Sequence, residues 1–263
     1  MCYDLSFSTS IELITDYIPD LIVDPQVSIE FDTSIHVLAQ DYQRRPVVVV
    51  DGGQKHLKEF EWGVVAPFMD TPDKIKRYRS MMGNARSEKI IGDKKSIWHE
   101  LRHNRCLVPV QGTYEHREIK GWKKKVPYYT KPKDRKLFCI PGLYHYVEHL
   151  ANTETGEITG TFAIITRTAN SVMRQIHNSG ENAFRMPLFL PKKLEMRWLE
   201  PNLTDGEIEE ILDYEMPSEE LEYYPVWSIR TPNIRPDKKL KNEPFIWENL
   251  PPLGEDTIQR QLF

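Results

Sequence analysis

The stretch CLVPVQGTYEH, residues 106–116, has the composition of a β-strand. Branched aliphatic and aromatic side chains dominate it, and these residue types favour the pleated, half-buried surface of a sheet. The same stretch carries Glu115 between Tyr114 and His116. It therefore predicts a sheet and, within that sheet, a carboxylate.

Similar runs occur along the chain, and each predicts a strand: 45–51, 61–69, 136–147, 160–169 and 186–191. Helical patterns lie around them, over about 8–18, 71–80, 96–104, 171–177, 191–200 and 204–214. This irregular mixture predicts an α+β fold, a single mixed domain with a twisted, partly closed (barrel-like) β-sheet and peripheral helices. We expect the domain to span residues 1–230, with an irregular C-terminal extension over 231–263.

The composition fits a soluble globular protein, because 40% of the residues are apolar. No run approaches the roughly 20 apolar residues that cross a bilayer, and acidic residues interrupt the N-terminal region. We therefore expect no signal peptide and no membrane contact. The cysteines, Cys2, Cys106 and Cys139, lack the CxxC spacing of a zinc site and predict no disulfide framework. We expect a cytoplasmic monomer.

The net charge of −4 conceals an uneven distribution. Residues 1–42 hold eight acidic side chains and no lysine or arginine, and the rest of the chain holds 35 basic and 31 acidic ones. The stretch KGWKKKVPYYTKPKDRK, residues 120–136, interleaves eight cations with Trp122, Tyr128 and Tyr129. Cations and aromatic rings in alternation suit single-stranded nucleic acid, although a solvated hairpin without function is the commoner explanation.

Other polar residues lie in or beside these segments. Asn84 and Arg86 alternate along NARSE, His177 ends a helical pattern, and Arg185 opens the motif RMP. Taken singly, such residues are more often caps, turn residues or solvated charges than catalytic groups. They gain meaning only in combination with one another.

Cys2 is the residue that combines them. If Met1 is removed, Cys2 carries a free α-amine and a free thiol on adjacent carbons. Beginning with this MC, short motifs follow one another in a fixed order: W-G-x-x-x-P (62–67), N-A-R-x-E (84–88), R-C-L-x-P-x-x-G-x-Y-E (105–115), G-L-Y (142–144), T-x-x-A-N (166–170), I-H (176–177) and R-M-P (185–187). Motif by motif, this order resembles the SRAP family, the SOS response-associated peptidases, whose members shield abasic sites. The resemblance runs from Cys2 to about Pro191.

The resemblance implies a compact domain with a positively charged groove for single-stranded DNA. It implies that removal of Met1, partly by the protein itself, exposes Cys2. That cysteine then joins the ring-opened sugar of an abasic site as a stable thiazolidine. Carried over residue by residue, the catalytic residues are Cys2, Asn84, Glu115 and His177.

The resemblance also implies a set of DNA contacts. Arg86 and Arg185 match phosphate-contacting arginines of the family. Trp62, which precedes Gly63, is a candidate stacking face for a base, and the same pattern also fits a core tryptophan.

The chemistry follows from elementary principles. An α-amine has a pKa near 7.7–8.0, so roughly a tenth or more is unprotonated at neutral pH and can attack an aldehyde. The adjacent thiol then closes a five-membered ring, and holding both nucleophiles on one residue makes this step intramolecular. No metal or cofactor is required. In this scheme His177 moves the proton that opens the sugar, Glu115 accepts the proton of the α-ammonium and assists loss of Met1, and Asn84 orients Cys2.

The sequence differs from the family pattern at two informative places. The family commonly begins Cys-Gly-Arg, whereas Tyr3 and Asp4 follow Cys2 here, so we expect the contact with DNA to differ. The usual H-x-R-M-P is opened, so that seven residues separate His177 from Arg185.

Two other classes of protein remain open from the sequence. One is an N-terminal-nucleophile hydrolase, in which Cys2 attacks an amide substrate and its own α-amine acts as the base. The other is a single-strand binding module in which Cys2 is incidental.

Overall fold

A computed structural model of the protein describes residues 2–25, 27, 34–148 and 158–255. Within these ranges the strands are β1 (Asp4–Ser6), β2 (Leu21–Val23), β3 (Val37–Leu38), β4 (Arg44–Asp51), β5 (Gln54–Trp62), β6 (Asn84–Arg86), β7 (Arg105–Val110), β8 (Gly112–Arg117), β9 (Val126–Pro132), β10 (Phe138–Val147), β11 (Thr159–Thr168), β12 (Arg185–Pro187) and β13 (Leu221–Pro225). The α-helices are α1 (Ile11–Tyr17), α2 (Pro72–Tyr78), α3 (Ile97–Glu100), α4 (Ser171–Ile176), α5 (Lys192–Trp198) and α6 (Asp205–Leu212). The predicted α+β class is confirmed.

The larger sheet closes partly on itself. Its strands run in the order β12-β11-β10-β7-β4-β5-β2. Strand β11 also pairs in parallel with β5, where Phe162 lies opposite Trp62, and this pairing links two strands that are far apart in the order. The partly closed sheet predicted from the sequence is therefore present.

The smaller sheet holds the N-terminal strand in its interior. Its order is β13-β9-β8-β1-β3, so β1 pairs with β8 on one side and with β3 on the other. Asp4 lies opposite Tyr114 in the antiparallel ladder of β1 and β8. Cys2 and Tyr3 immediately precede this ladder, and its partner strand β8 carries Glu115.

The stretch 106–116 connects the two sheets. The sequence predicted one strand there, but the structure has two: β7 belongs to the larger sheet, β8 belongs to the smaller one, and the chain crosses at Gln111. Gly112 lies so close to Tyr129 that a Cβ at this position would be 2.1 Å from the Cζ atom of that ring. Only glycine leaves room for the ring at the crossing.

The basic stretch 120–136 is only partly a surface. Strand β9 lies within it, and Tyr128 and Tyr129 are each 4% exposed. The predicted alternation of cations with accessible aromatic rings is therefore wrong for these two tyrosines, because their rings belong to the core. The side chains of Lys120 and Lys123–Lys125 remain exposed.

Helices α4 and α6 begin close to the starts of the predicted helical patterns 171–177 and 204–214. Asn170 caps α4 by accepting a hydrogen bond from the Met173 backbone N–H, and Thr204 forms a capping box with Glu207 at the start of α6. The predicted first helix begins later than expected, because Ser10 is its N-cap. None of the helices in the described ranges is both long and apolar enough to pass through a bilayer.

The C-terminal segment is irregular, and it is anchored to the body of the protein as far as residue 255, where the described residues end. The buried Arg117 guanidinium donates hydrogen bonds to the backbone oxygens of Pro251 and Pro252, at 2.8 and 2.7 Å. Trp247 donates to the Val226 oxygen at 3.0 Å and stacks on Trp227. These contacts hold the segment against the smaller sheet.

Candidate active site

Cys2 is buried immediately before β1. Its side chain is 1% exposed, and its thiol lies 3.5 Å from the backbone oxygen of Asp4, to which it donates. Burial raises the pKa of the thiol well above its ordinary value, and the negative charges of Glu115 and Asp4 raise it further. The sulfur is therefore held as a protonated thiol in this environment.

Glu115 lies on β8, beside Cys2, and is buried as well. Burial raises the pKa of its carboxyl group, while the neighbouring His177 acts in the opposite direction. Its Oε1 atom has no hydrogen-bond partner among the described residues. A buried carboxylate with a raised pKa and an unpaired oxygen is suited to accepting a proton.

His177 follows α4 and faces the same carboxylate. Its Nδ1 atom lies 2.8 Å from the backbone oxygen of Arg185 and 3.9 Å from Oε2 of Glu115. Because a carbonyl oxygen only accepts, Nδ1 carries a hydrogen, and the lone pair of the neutral ring is on Nε2. The structure therefore brings Cys2, Glu115 and His177 together, as the sequence predicted.

Asn84 begins β6 and is buried with an unpaired side chain. Strand β6 pairs with β11, where Asn84 lies opposite Ile164. Neither Nδ2 nor Oδ1 has a hydrogen-bond partner among the described residues. Leaving a buried amide unpaired costs about 1–3 kcal/mol, and such groups commonly mark a position that a ligand completes.

Ala39 lies between strand β6 and the N-terminal segment and contacts both. A Cβ on Gly83, which precedes Asn84, would be 3.4 Å from the Cβ of Ala39. The Ala39 backbone N–H in turn donates to the Tyr3 oxygen at 2.9 Å. Arg86 is also close to Tyr3. Burial raises the pKa of the Tyr3 hydroxyl, and the positive charge of Arg86 offsets part of that rise.

A pocket of about 410 Å³ opens beside these groups. Its walls include Tyr3, Glu115, His177, Lys125 and Arg230. The loop between His177 and Arg185 forms another part of the wall, with residues 179–182. The pocket thus opens onto Glu115 and His177, and its wall carries both the cations Lys125 and Arg230 and the carboxylates Asp4 and Glu181.

The seven residues between His177 and Arg185 form a closed loop rather than a long excursion. The Phe184 backbone N–H donates to the His177 oxygen at 2.8 Å, and Phe184 itself has a positive φ of 63°. Arg86 donates to Oδ1 of Asn182 in this loop, at 2.8 Å. The insertion therefore returns Arg185 to the side of His177.

The guanidinium of Arg185 is engaged inside the protein. It forms a bidentate pair with Glu88, at 2.8 and 3.0 Å, and donates to the Thr166 backbone oxygen at 2.7 Å. Burial works to raise the pKa of Glu88, but the hydrogen bonds from Arg185, a backbone hydrogen bond and the charges of Arg185 and Arg86 together lower the pKa below its ordinary value. A phosphate would have to compete with this carboxylate for Arg185.

Trp62 is a core residue. It is 1% exposed, its Nε1–H donates to the Gly83 oxygen at 2.8 Å, and its ring stacks on Phe162 with centroids 6.1 Å apart. The interpretation of Trp62 as a stacking face for DNA is contradicted by this burial. Its role is to support Gly83, immediately before Asn84.

Sequence reasoning missed an ion pair next to Cys2. Asp4 is buried, and its carboxylate accepts from Nε and Nη2 of Arg230, at 2.9 and 2.5 Å, and contacts Nε2 of His36 at 2.7 Å. Burial would raise the pKa of Asp4, but the bonds from His36 and Arg230 together lower it. An acidic residue in a strand beside Cys2 was a visible signal, whereas nothing local marked Arg230.

No metal centre is apparent in the portion of the chain that the structure describes. Within it, no group of three or more His, Cys, Asp or Glu side chains could hold a metal ion.

Comparisons with known proteins identify the family. The sequence model of the family described as SOS response associated peptidase (SRAP) matches residues 1–229. The abasic site processing protein YoqW of Bacillus subtilis is 31% identical over 182 residues, which cover 69% of this chain and 74% of that protein. The abasic site processing protein YobE of the same organism is 30% identical over 182 residues, 69% of this chain and 76% of that one.

Solved structures show the same fold. A crystal structure of a protein from Bacteroides thetaiotaomicron aligns with a TM-score of 0.74 at 29% identity, covering 92% of this chain and 97% of the other. A protein from Bordetella bronchiseptica aligns with a TM-score of 0.66 at 18% identity, over 86% of this chain and 99% of the other. With the match to the family over residues 1–229, these likenesses lead to one conclusion. This chain belongs to the SOS response-associated peptidase (SRAP) family.

Proposed function

We propose that the protein captures abasic sites in single-stranded DNA covalently, through Cys2, after loss of Met1. The observation that carries the proposal is the proximity of two buried groups: the Cys2 thiol, whose pKa the charge of Glu115 raises, and the Glu115 carboxylate, which His177 faces at 3.9 Å. Relatives named abasic site processing proteins point to the same substrate. Met1 itself lies outside the described residues.

The reaction begins with hydrolysis of the bond between Met1 and Cys2. Glu115 accepts a proton from the attacking water, since its raised pKa makes it a better base than an ordinary carboxylate. Methionine leaves, and Cys2 gains a free α-amine beside its thiol. The residue then carries two nucleophiles that can reach one carbon atom.

Capture consists of two additions to the aldehyde of the ring-opened sugar. The unprotonated α-amine attacks the aldehyde carbon, and loss of water gives an imine. The thiol adds across the C=N bond, its proton passes to nitrogen, and a five-membered thiazolidine results. Both nucleophiles belong to one residue, so ring closure needs no further encounter.

The neighbouring side chains supply the proton transfers. His177 lies on the wall of the pocket and is fixed through Nδ1, so its Nε2 moves the proton between the sugar hydroxyl and the ring oxygen. Glu115 takes the proton of the α-ammonium. The unpaired amide of Asn84 donates to the developing oxygen and orients Cys2.

Individual cations at the pocket offer contacts for a phosphate, beside the carboxylates of the same wall. Lys125 and Arg230 lie on its wall, and Arg86 reaches its loop through Asn182. A single strand fits this site better than a duplex, because the sugar must enter beside buried groups. The three cysteines are free thiols, which suits a reducing compartment such as the cytoplasm.

The decisive experiment is a denaturing gel after the processed protein is mixed with a single-stranded oligonucleotide that holds one abasic site. We expect a stable shifted band for the wild type and for Cys106→Ala, which removes another buried thiol. We expect no such band for Cys2→Ala. A Cys2→Ala band as strong as that of the wild type contradicts the proposal.

Two other outcomes would identify the alternatives. Turnover of a glutamine or acyl-amide substrate without a band would indicate an N-terminal-nucleophile hydrolase. Salt-sensitive binding of DNA without a covalent product would indicate a single-strand binding module.

A further inference from the structure

We propose that Arg230 binds a phosphate of the DNA strand at the mouth of the pocket, and that Asp4 holds it there. The inference rests on the proposed function, since it takes the ligand of the pocket to be DNA. Arg230 follows directly on the segment that the chain shares with its family.

The first support is the position of the side chain. Arg230 lies on the wall of the same pocket as Glu115 and His177. Its positive charge is close enough to Glu115 and Cys2 for both to contribute to its raised pKa, after the larger effect of its hydrogen bond with Asp4. A phosphate bound by Arg230 would thus lie next to the reacting sugar.

The second support is the way in which the guanidinium is used. Asp4 occupies one edge of it, formed by Nε and Nη2. Nη1 makes no hydrogen bond to any residue in the described ranges, and the side chain of Arg230 is 52% exposed. The planar group therefore has donors left for a phosphate oxygen while it stays anchored.

The third support is that the anchor is rigid. Asp4 is 2% exposed and lies in β1, the strand that follows Cys2. Ile229, the residue before Arg230, is also buried. An arginine that is held in this way loses less side-chain entropy when it binds a phosphate than a free surface arginine does.

Lys125 provides a second cation on the same wall. It pairs with Glu118 at 3.6 Å, and its side chain is 43% exposed. A lysine and an arginine on one wall suit the repeated charges of a DNA backbone better than a single small anion.

The test measures binding of an undamaged single-stranded oligonucleotide by fluorescence anisotropy over a range of salt concentrations. Loss of one phosphate contact should reduce the slope of log K against log salt by about 0.7. For Arg230→Gln we expect this change and affinity about tenfold lower, the effect of one charge-assisted hydrogen bond. Arg197→Gln is the matched control, because Arg197 is also paired with carboxylates but lies on α5, away from the pocket.

Arg230→Gln leaves a buried carboxylate with one partner fewer, so a second comparison separates folding from binding. Asp4→Asn removes that buried charge, and Asp4→Asn with Arg230→Gln removes the pair. The double variant, which keeps the net charge of the wild type, should show a slope lower by about 0.7 than the wild type, with a similar melting temperature. A slope and an affinity equal to those of the wild type would overturn the assignment of Arg230.

Failure of this inference can be told apart from failure of the proposed function. Undamaged DNA cannot form a cross-link, so the salt slope reports on Arg230 alone. A wild type that cross-links abasic DNA, together with an unchanged slope in the double variant, rejects only the role of Arg230. A wild type that binds DNA through Arg230 but forms no cross-link rejects only covalent capture, and no binding of DNA by the wild type rejects both.

Discussion

The Nδ1–H group of His177 donates a hydrogen bond to the backbone oxygen of Arg185 at 2.8 Å, across a loop of seven residues. The bond fixes both the tautomer and the plane of the imidazole ring. Arg185 thus serves the site through its carbonyl group, while its guanidinium is turned onto Glu88. The loop of seven residues therefore holds the His177 ring in place through a backbone oxygen, and the Arg185 guanidinium takes no part in this bond.

Replacing this histidine should affect chemistry rather than affinity. We expect His177→Ala to slow cross-linking of an abasic oligonucleotide by about a hundredfold, the lower part of the range for general acid–base groups. Anisotropy with undamaged DNA should give nearly the wild-type Kd. His99→Ala is the control, since His99 also contacts a backbone oxygen through Nδ1, at 2.8 Å. Unchanged cross-linking rates for His177→Ala would exclude it from the mechanism.

Replacing the buried carboxylate should leave Met1 in place. We expect mass spectrometry of Glu115→Gln purified from cells to show a larger fraction with retained methionine, because the amide cannot accept a proton from water. The exposed neighbour Glu118 gives the control Glu118→Gln, which should be processed like the wild type. Complete processing of Glu115→Gln would assign the step to a host aminopeptidase.

The same substitution should stabilise the protein at neutral and alkaline pH. The pKa of Glu115 is raised on folding, so the folded state holds this proton more tightly than the unfolded state does. Stability is then lost as the pH rises from about 4.5, the ordinary value, through the raised pKa. Glu115→Gln avoids that loss.

Thermal denaturation at several pH values measures the effect. We expect the Tm of Glu115→Gln to exceed that of the wild type by about 2–4 °C for each kcal/mol gained, with the difference growing as the pH rises. A difference that shrinks with rising pH would contradict the raised pKa.

Releasing Arg185 from its carboxylate should strengthen binding of DNA. Glu88 is half exposed, and it competes with phosphate for the guanidinium. We expect Glu88→Gln to bind undamaged single-stranded DNA about threefold more tightly, in the range typical of a partly exposed ion pair. Glu219→Gln, at an exposed site, controls for the change of net charge. Equal effects of the two variants on DNA affinity would indicate that the Arg185 guanidinium has a structural role and does not bind phosphate.

The crossing between the sheets should not tolerate a side chain at Gly112. A Cβ there would lie 2.1 Å from the Tyr129 ring, so Gly112→Ala should destabilise the protein by about 1–3 kcal/mol in chemical denaturation. Gly206→Ala is the matched control, because no atom lies within 4 Å of its added Cβ and the residue is in α6. It should be neutral or slightly stabilising. Similar losses for both variants would contradict the close approach at Gly112.

Local signals in the sequence predicted much of this structure. The start of α4 could be predicted at Asn170 because capping is an interaction over three residues. The stretch 106–116 predicted strand structure, but not its passage between sheets, which depends on the packing of Tyr129 against Gly112. Short-range patterns carry no information about such contacts.

The candidate site divides in the same way. Cys2, Glu115 and His177 were predicted from motifs, and the structure brings them together. Trp62 was ambiguous because a tryptophan beside a glycine suits a core as well as a surface, and its burial decided the matter. The ion pair of Asp4 with Arg230 could not be predicted, since 226 residues separate the partners.

The interior position of β1 has a mechanical consequence. DNA joined to Cys2 would be attached at the head of a strand that is flanked on one side by β8 and on the other by β3. A motor protein that pulled on that DNA in the direction of β1 would load both hydrogen-bond ladders in shear. The ion pair of Asp4 with Arg230 would bear part of the same load. The bonds of a ladder loaded in this direction must break together rather than one after another. The adduct would thus resist being stripped from the lesion by force.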